Sequence, residues 1–191
     1  MKLFQNRLKW IRKRFTWNYK YAIGKWDFMI DEEDRYKTII KFIKESKIDK
    51  PRILDLGCGY GALNKYMDKN DYSYCLGVDL SDTAINKAKK KNYPNSEFIV
   101  ADIHKFVPND TFDIIIFNEV LYYLDNQMEI VARFSNYSNN EGFFIFSFYG
   151  IRNDLITDIG KNYKLIESEL VATKKNDASW AISIYEIKNN N

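Results

Sequence analysis

The residues able to do chemistry in this chain begin with the stretch Arg52-Ile53-Leu54-Asp55-Leu56-Gly57-Cys58-Gly59-Tyr60-Gly61. A short apolar run carries an acid near its end, and three glycines follow at alternate positions. The pattern predicts a buried strand that runs into a tight turn and opens a helix. Gly57, Gly59 and Gly61 have no side chain, so a ligand can lie against the backbone there. Asp55 falls at the carboxyl end of the strand, the end at which open α/β sheets bind ligands. The same position is acidic on later expected strands: Asp79, Asp102 and the pair Asn118-Glu119. Each acid alone is a weak signal; the ordered set over residues 52–124 is a specific one. Two residues are candidate general bases. His104 is the single histidine, with a pKa class suited to proton transfer. Glu119 follows the fourth strand and faces the same crevice. His104 could equally be an exposed loop residue, and Glu119 a contact that orients a cofactor or helix.

These residues need a scaffold of alternating elements. Strands are expected at about 52–56, at Ser73 to Val78 ending on Asp79, and at Glu97 to Ala101 ending on Asp102. A very apolar fourth covers Phe112 to Phe117, and a fifth Gly142 to Phe148. Helices fall between them at about 61–69, from the Ser81 cap through Lys91, and from about Asp125 to Tyr137. Such alternation predicts right-handed βαβ units and a parallel sheet. The style then changes. A short helix at Asn153 to Gly160 precedes two β-rich runs, Tyr163 to Thr173 and Ala178 to Ile187, around the polar turn Lys174-Lys175-Asn176-Asp177. That is a hairpin, so one strand must run against the rest of the sheet.

Residues 3–20 form a basic amphipathic helix. Phe4, Leu8, Ile11 and Phe15 fall at helical spacing, with Trp10 and Trp17 beside them. Residues 1–26 hold eight Lys or Arg and no acid, leaving the rest of the chain mildly acidic within a net charge of +3. The helix could meet a membrane surface, a nucleic acid or a phosphorylated substrate, or simply pack its stripe on the domain and turn its cations to water. A second unit, residues 25–47, begins at Trp26-Asp27-Phe28. Its acids Asp31 to Asp34 suit a helix amino end or a negative patch near a cationic or hydroxyl-bearing acceptor, and Lys44, Lys47 and Lys50 suit the other end before Pro51.

The strand-and-glycine stretch resembles the first motif of class I S-adenosylmethionine (SAM)-dependent methyltransferases. Gly57-x-Gly59-x-x-Ala62 also satisfies a dinucleotide fingerprint. Asp55, two residues before the first glycine, would repel a pyrophosphate and attract the ammonium of SAM. Asp102-Ile103 can meet an adenine amine and ring, and a terminal hairpin replaces the half that binds nicotinamide. The resemblance implies an α/β, Rossmann-like, seven-stranded mostly parallel sheet with a C-terminal antiparallel hairpin. Residues 1–50 would be a helical lid or extension, and 51–191 the SAM-binding domain. Phe112 to Leu124, together with Trp26 and Arg35 nine residues apart, also resembles the rhizobial nodulation N-methyltransferases, which act on an amino sugar. Lys25 and Asp34 depart from that family's Pro and Glu. It implies that Trp26 and Arg35 help hold SAM, Arg35 near its carboxylate. The remaining expected cofactor contacts are Asp55, Gly57, Cys58, Gly59, Gly61, Asp79 at the ribose, Leu80, Asp102, Ile103, Asn118 and Tyr123.

The resemblance implies a SAM-dependent methyltransferase acting on a hydroxyl or amine of a small acceptor, a sugar or nucleotide sugar being the first expectation. Another small amine or natural product comes next, and an RNA-modifying enzyme last. Against RNA bases, Asn118 is followed by Glu-Val-Leu and not by Pro-Pro-Tyr. No metal is expected. Metal-dependent relatives carry Glu-His where this chain has Tyr122-Tyr123, and one histidine cannot build a His-based site. The chain has 191 residues, 46% of them hydrophobic, which suits a single core. The two cysteines read as free thiols in a reducing compartment. With no apolar span and no signal-peptide core, a cytoplasmic protein is expected.

Overall fold

The computed structural model describes residues 2–173 and 179–188, with side chains from Trp10 onward. The expected turn at residues 174–177 and the Asn189-Asn190-Asn191 tail lie outside them. Seven strands form one sheet: β1 (Arg52–Leu56), β2 (Tyr74–Asp79), β3 (Ser96–Val100), β4 (Phe112–Asn118), β5 (Ser138–Tyr149), β6 (Lys164–Ala172) and β7 (Ser179–Glu186). Their order is β3-β2-β1-β4-β5-β7-β6. The first five pair in parallel, and β7 runs antiparallel to both β5 and β6. The reversed strand required by the hairpin is therefore β7, and it is inserted between β5 and β6. Its run Trp180 to Tyr185 is buried throughout, whereas most of β6 is exposed. Apolarity on both faces sends β7 inside and leaves β6 at the edge.

The helices are α1 (Lys2–Ala22), α2 (Glu33–Glu45), α3 (Ala62–Tyr66), α4 (Asp82–Lys89), α5 (Gln127–Ser135) and α6 (Asn153–Gly160), with a 3-10 turn at Asp27–Asp31. Ser81 caps α4 as expected, its Oγ accepting from the Ala84 N–H at 3.1 Å. Two helices are shorter than the sequence predicts. α3 stops at Met67, whose backbone is extended, and an Asp68 side chain takes the Asn70 N–H in a polar turn. α5 starts only at Gln127, after Asn126 in the left-handed region. β5 begins four residues early, where Ser138 pairs with Phe112.

Alternate strand residues face opposite helical layers. Leu54, Leu56, Ile115, Phe117 and Phe146 pack with Val131 and Phe134 of α5 and Ile159 of α6. Ile53, Ile114, Ile116 and Ile182 pack with Ile39 and Phe42 of α2. By this alternation Asp55 shares the face of Ile53, toward α2. Chain order reverses between β1 and β4, and their carboxyl ends, Leu56 and Asn118, lie side by side. That switch point opens the crevice in which the sheet can take a ligand. α1 lies across it. Arg14 pairs with Asp82, Asn18 accepts from Ser81 Oγ at 2.7 Å, and Lys87 Nζ donates to the Tyr21 carbonyl at 2.8 Å.

Candidate functional site

The glycine turn is held by strand β2. The N–H groups of Gly57 and Cys58 both donate to the Val78 carbonyl, at 2.8 and 3.1 Å. Gly57 has φ +78°, and a Cβ there would lie 2.5 Å from Val120 Cβ, so a side chain is excluded by both conformation and space. Asp79 clasps the turn from below. It accepts the Gly59 N–H at 3.0 Å and the Ser81 N–H at 2.8 Å. Burial pushes its carboxyl up to about 6, against the lowering effect of those hydrogen bonds. A ribose at Asp79 would share the carboxylate with the backbone it already organises.

Two cavities lie over this turn, of about 360 and 310 Å³. Trp17 and Tyr21 of α1 border both, as do Gly57, Glu119 and Tyr123. Tyr21 comes so near the turn that a Cβ on Gly59 would sit 2.8 Å from its hydroxyl. The first cavity is aromatic and holds Trp26, Arg35, Cys58, Gly59, Asn118 and Arg152. The second is more polar and holds Asp79, Leu80, Asp102, Ile103 and His104.

Arg35 anchors the first cavity from α2. Its guanidinium lies between the rings of Tyr36 and Trp180, at 4.3 and 4.4 Å from their centroids. Nη1 donates to Asn118 Oδ1 at 2.9 Å, and Nη2 donates to the Tyr36 hydroxyl. Arg35 Nε and Trp26 Nε1 are buried without a hydrogen-bond partner. Asp55 is fully buried and both its oxygens are likewise unpartnered. Burial raises its carboxyl to about 7, with Arg35 opposing and Asp79 adding to the rise. The sequence places Asp55 in contact with a ligand. The structure instead seats it beneath the turn, bordering neither cavity, because its strand position directs it toward α2.

Glu119 is the more constrained of the two candidate bases. It sits at φ +58°, an unusual conformation for a residue with a side chain. Its carboxylate accepts from the Tyr122 hydroxyl at 2.6 Å, the Ser147 hydroxyl at 2.9 Å and the Tyr149 N–H at 3.0 Å. Burial raises it to about 7, with Arg35 and these three donors opposing. His104 borders the second cavity only. Its Nδ1 lies 3.0 Å from Asp102 Oδ1, and its Nε2 accepts the Asp125 N–H at 3.2 Å. Both ring nitrogens are thus committed to loop contacts, which leaves none directed at the first cavity.

Other expected residues fall where the chain order put them. Trp26, Cys58 and Asn118 reach the first cavity, Leu80, Asp102 and Ile103 the second, and Tyr123 both. Gly61 borders neither. It heads α3, and a Cβ there would meet Phe98 and Tyr93, so its place is in packing. Sequence reasoning missed Tyr21, Tyr149, Arg152 and Trp180. Tyr21 had a legible signal, since Trp10, Trp17 and Tyr21 recur on one face of α1. The other three come from the last third of the chain and carry no local motif. Among the described residues, no group of three or more His, Cys, Asp or Glu is placed to hold a metal.

The residues present fit SAM. A zwitterionic amino-acid end matches the unpartnered donors of Arg35 and Trp26 on one side and the buried negative charge of Asp55 on the other. The bare turn leaves room for close approach, and the second cavity supplies carboxylates for hydroxyl and amine groups.

Residues 29–173 match the family model described as a methyltransferase domain. A malonyl-[acyl-carrier protein] O-methyltransferase of Halalkalibacterium halodurans is 33% identical over 130 residues, covering 64% of this chain and 47% of that protein. A trans-aconitate 2-methyltransferase of Rhizobium rhizogenes is 26% identical over 115 residues, 59% of this chain and 44% of that one. The chain thus spans about half the length of these curated relatives. Among solved structures, N-methyltransferase NodS from Bradyrhizobium japonicum superposes with TM-score 0.69 at 19% identity, over 83% of this chain and 97% of that one. The same protein is also known in complex with S-adenosyl-L-homocysteine. At that identity the likeness is one of fold.

Proposed function

This chain belongs to the methyltransferase-domain family of SAM-dependent enzymes, and from that premise we propose that it methylates an oxygen of a small carboxylic acid. SAM supplies a methyl group already activated on a sulfonium, so the protein's share is positioning and the exclusion of water. Arg35, Trp26, Asn118 and the Gly57–Gly59 turn would hold its amino-acid end, and Asp79, Asp102 and Ile103 its adenosine. The aromatic walls Trp26, Tyr122 and Tyr123 would exclude water and face the cationic donor.

The observation that carries the acceptor class is the state of the two bases. Glu119 already accepts three hydrogen bonds, and both ring nitrogens of His104 are occupied. A carboxylate needs neither, because it arrives as a nucleophile at neutral pH. Arg152 borders the first cavity with its guanidinium 5.0 Å from the Tyr122 ring centroid, and among the described residues no carboxylate lies within salt-bridge reach of it. It is a fitting partner for an acid. The names of the two curated sequence relatives, a malonyl-[acyl-carrier protein] O-methyltransferase and a trans-aconitate 2-methyltransferase, support an acid as well.

A sugar hydroxyl or an amine is the second reading. It is favoured by Glu119, whose carboxyl near 7 would suit a base for a hydroxyl. Labelled SAM offered with dicarboxylic acids, a malonyl thioester on acyl carrier protein, and nucleotide sugars separates the two. Carboxylate transfer gives a methyl ester that alkali cleaves, and Arg152→Ala should raise KM for the acid about tenfold to a hundredfold. An alkali-stable product formed only with sugars overturns the acid reading.

The pH profile gives an independent check. At saturating SAM, kcat with a carboxylate acceptor should be nearly flat from pH 6 to 9 and survive Glu119→Gln within about tenfold. Dependence on Glu119 as base would instead show kcat rising about tenfold per pH unit below 7 and collapse in the Gln variant.

A further inference from the structure

Helix α1 uses two faces, and only one is explained by the crevice. Trp10, Lys13, Trp17 and Tyr21 border the cavities, while Arg14 and Asn18 tie the same side to α4. The solvent-facing side carries Ile11, Phe15 and Tyr19, spaced by four residues and continued by Ile23 just past the helix end. These are 46%, 73%, 58% and 57% exposed. They form a convex apolar ridge of about 18 Å at the rise of an α-helix. Arg12 and Lys25, both exposed, flank it. The first 26 residues contain eight cations and no acid.

We propose that this outer face of α1 docks on an anionic lipid surface, seating Phe15 and its apolar neighbours among the acyl chains' upper carbons and the cations at the headgroups. Charge complementarity names the occupant. A purely cationic segment around exposed aromatic and aliphatic side chains is the composition of helices that lie in a bilayer interface. The long basic side chains can reach headgroups while their stems stay apolar. A nucleic-acid backbone would use the cations but gain nothing from Phe15 or Ile23. An acidic protein would need a groove to receive the ridge. No helix among the described residues is long and apolar enough to cross a membrane. Because the docking face and the crevice face differ, α1 can bind lipid while Trp17 and Tyr21 keep their places over the glycine turn.

The test is co-sedimentation of the full chain with vesicles of phosphatidylcholine containing about one-third phosphatidylserine, against pure phosphatidylcholine. Binding is expected to the anionic vesicles and to fall steeply between 0.1 and 0.5 M salt. Phe15→Glu should weaken it roughly tenfold to a hundredfold, the factor for removing one large apolar anchor. Ile11→Ser, milder for folding, should weaken it less. SAM binding by calorimetry should stay unchanged in both variants. No binding to anionic vesicles overturns the proposal. So does equal binding to neutral ones, or a Phe15→Glu variant that sediments like the parent. Retention by single-stranded RNA or by acyl carrier protein that Phe15→Glu abolishes, without vesicle binding, assigns the face to that partner instead.

Discussion

Replacing Arg35 by Met is expected to abolish measurable SAM binding and to lower stability by about 3–5 kcal/mol at pH 8. Arg35 is 1% exposed, with its guanidinium stacked against Tyr36 and Trp180. Its loss strips Asn118 Oδ1 and the Tyr36 hydroxyl of a donor and leaves two acids, the buried Asp55 and the half-buried Glu119, without the cation that lowers them both. The penalty is one of uncompensated charge, so it should shrink as those acids take up protons. Urea unfolding at pH 8 and at pH 5 tests this. The gap between parent and variant should narrow by about half or more at the lower pH. A gap that is independent of pH would mean that Arg35 acts only by packing. Lysine will not substitute, since the point-charge ammonium cannot fill a planar slot between two rings.

Asp55→Asn should flatten the dependence of stability on pH and weaken SAM binding tenfold or more. In the folded chain the Asp55 carboxyl sits at about 7, above its ordinary value near 4. A raised pKa means that the folded state holds the proton more tightly than the unfolded one. Its stabilising share is complete below about pH 4 and is lost as pH rises through 7, roughly 4 kcal/mol in all. Asp79, at about 6, and Glu119, at about 7, act with the same sign. The free protein should therefore lose stability from pH 4 to 7. A ligand bearing an ammonium favours the ionised carboxylate, so the stabilisation by SAM should grow from pH 6 to 8. Thermal melts with and without SAM across that range, beside calorimetry on the Asn variant, measure both effects. Parental affinity in Asp55→Asn would remove this carboxylate from the cofactor account.

The crevice explains why one site joins such costly features. The buried acids Asp55 and Asp79, an orphaned guanidinium edge and a backbone turn closed to side chains are each unfavourable for an empty protein. Each becomes favourable around a ligand with matched charges. The same logic favours an acid acceptor. A site in which Glu119 and His104 are both held in hydrogen bonds is better suited to a nucleophile that needs no deprotonation.

The amino-acid sequence by itself determined the scaffold and most of the strand-end residues that border the crevice. Short continuous apolar runs and the Ser81 cap located β1, β2, β4 and α4 within a residue or two of their observed ends. Acids at the strand tips marked the crevice, because a strand's carboxyl end is fixed by its own short stretch of chain. Tertiary structure alone decided what no local pattern encodes. It folded α1 back through Arg14 and Asn18, 68 and 64 residues from their partner Asp82, so that Trp17 and Tyr21 divide the cavity. It put β7 inside β6, brought Trp180 onto Arg35, and turned Asp55 inward. It also gave Gly61 to packing and His104 to its loop. These outcomes depend on which surfaces meet after the sheet has formed, and a sequence read element by element carries no record of that meeting.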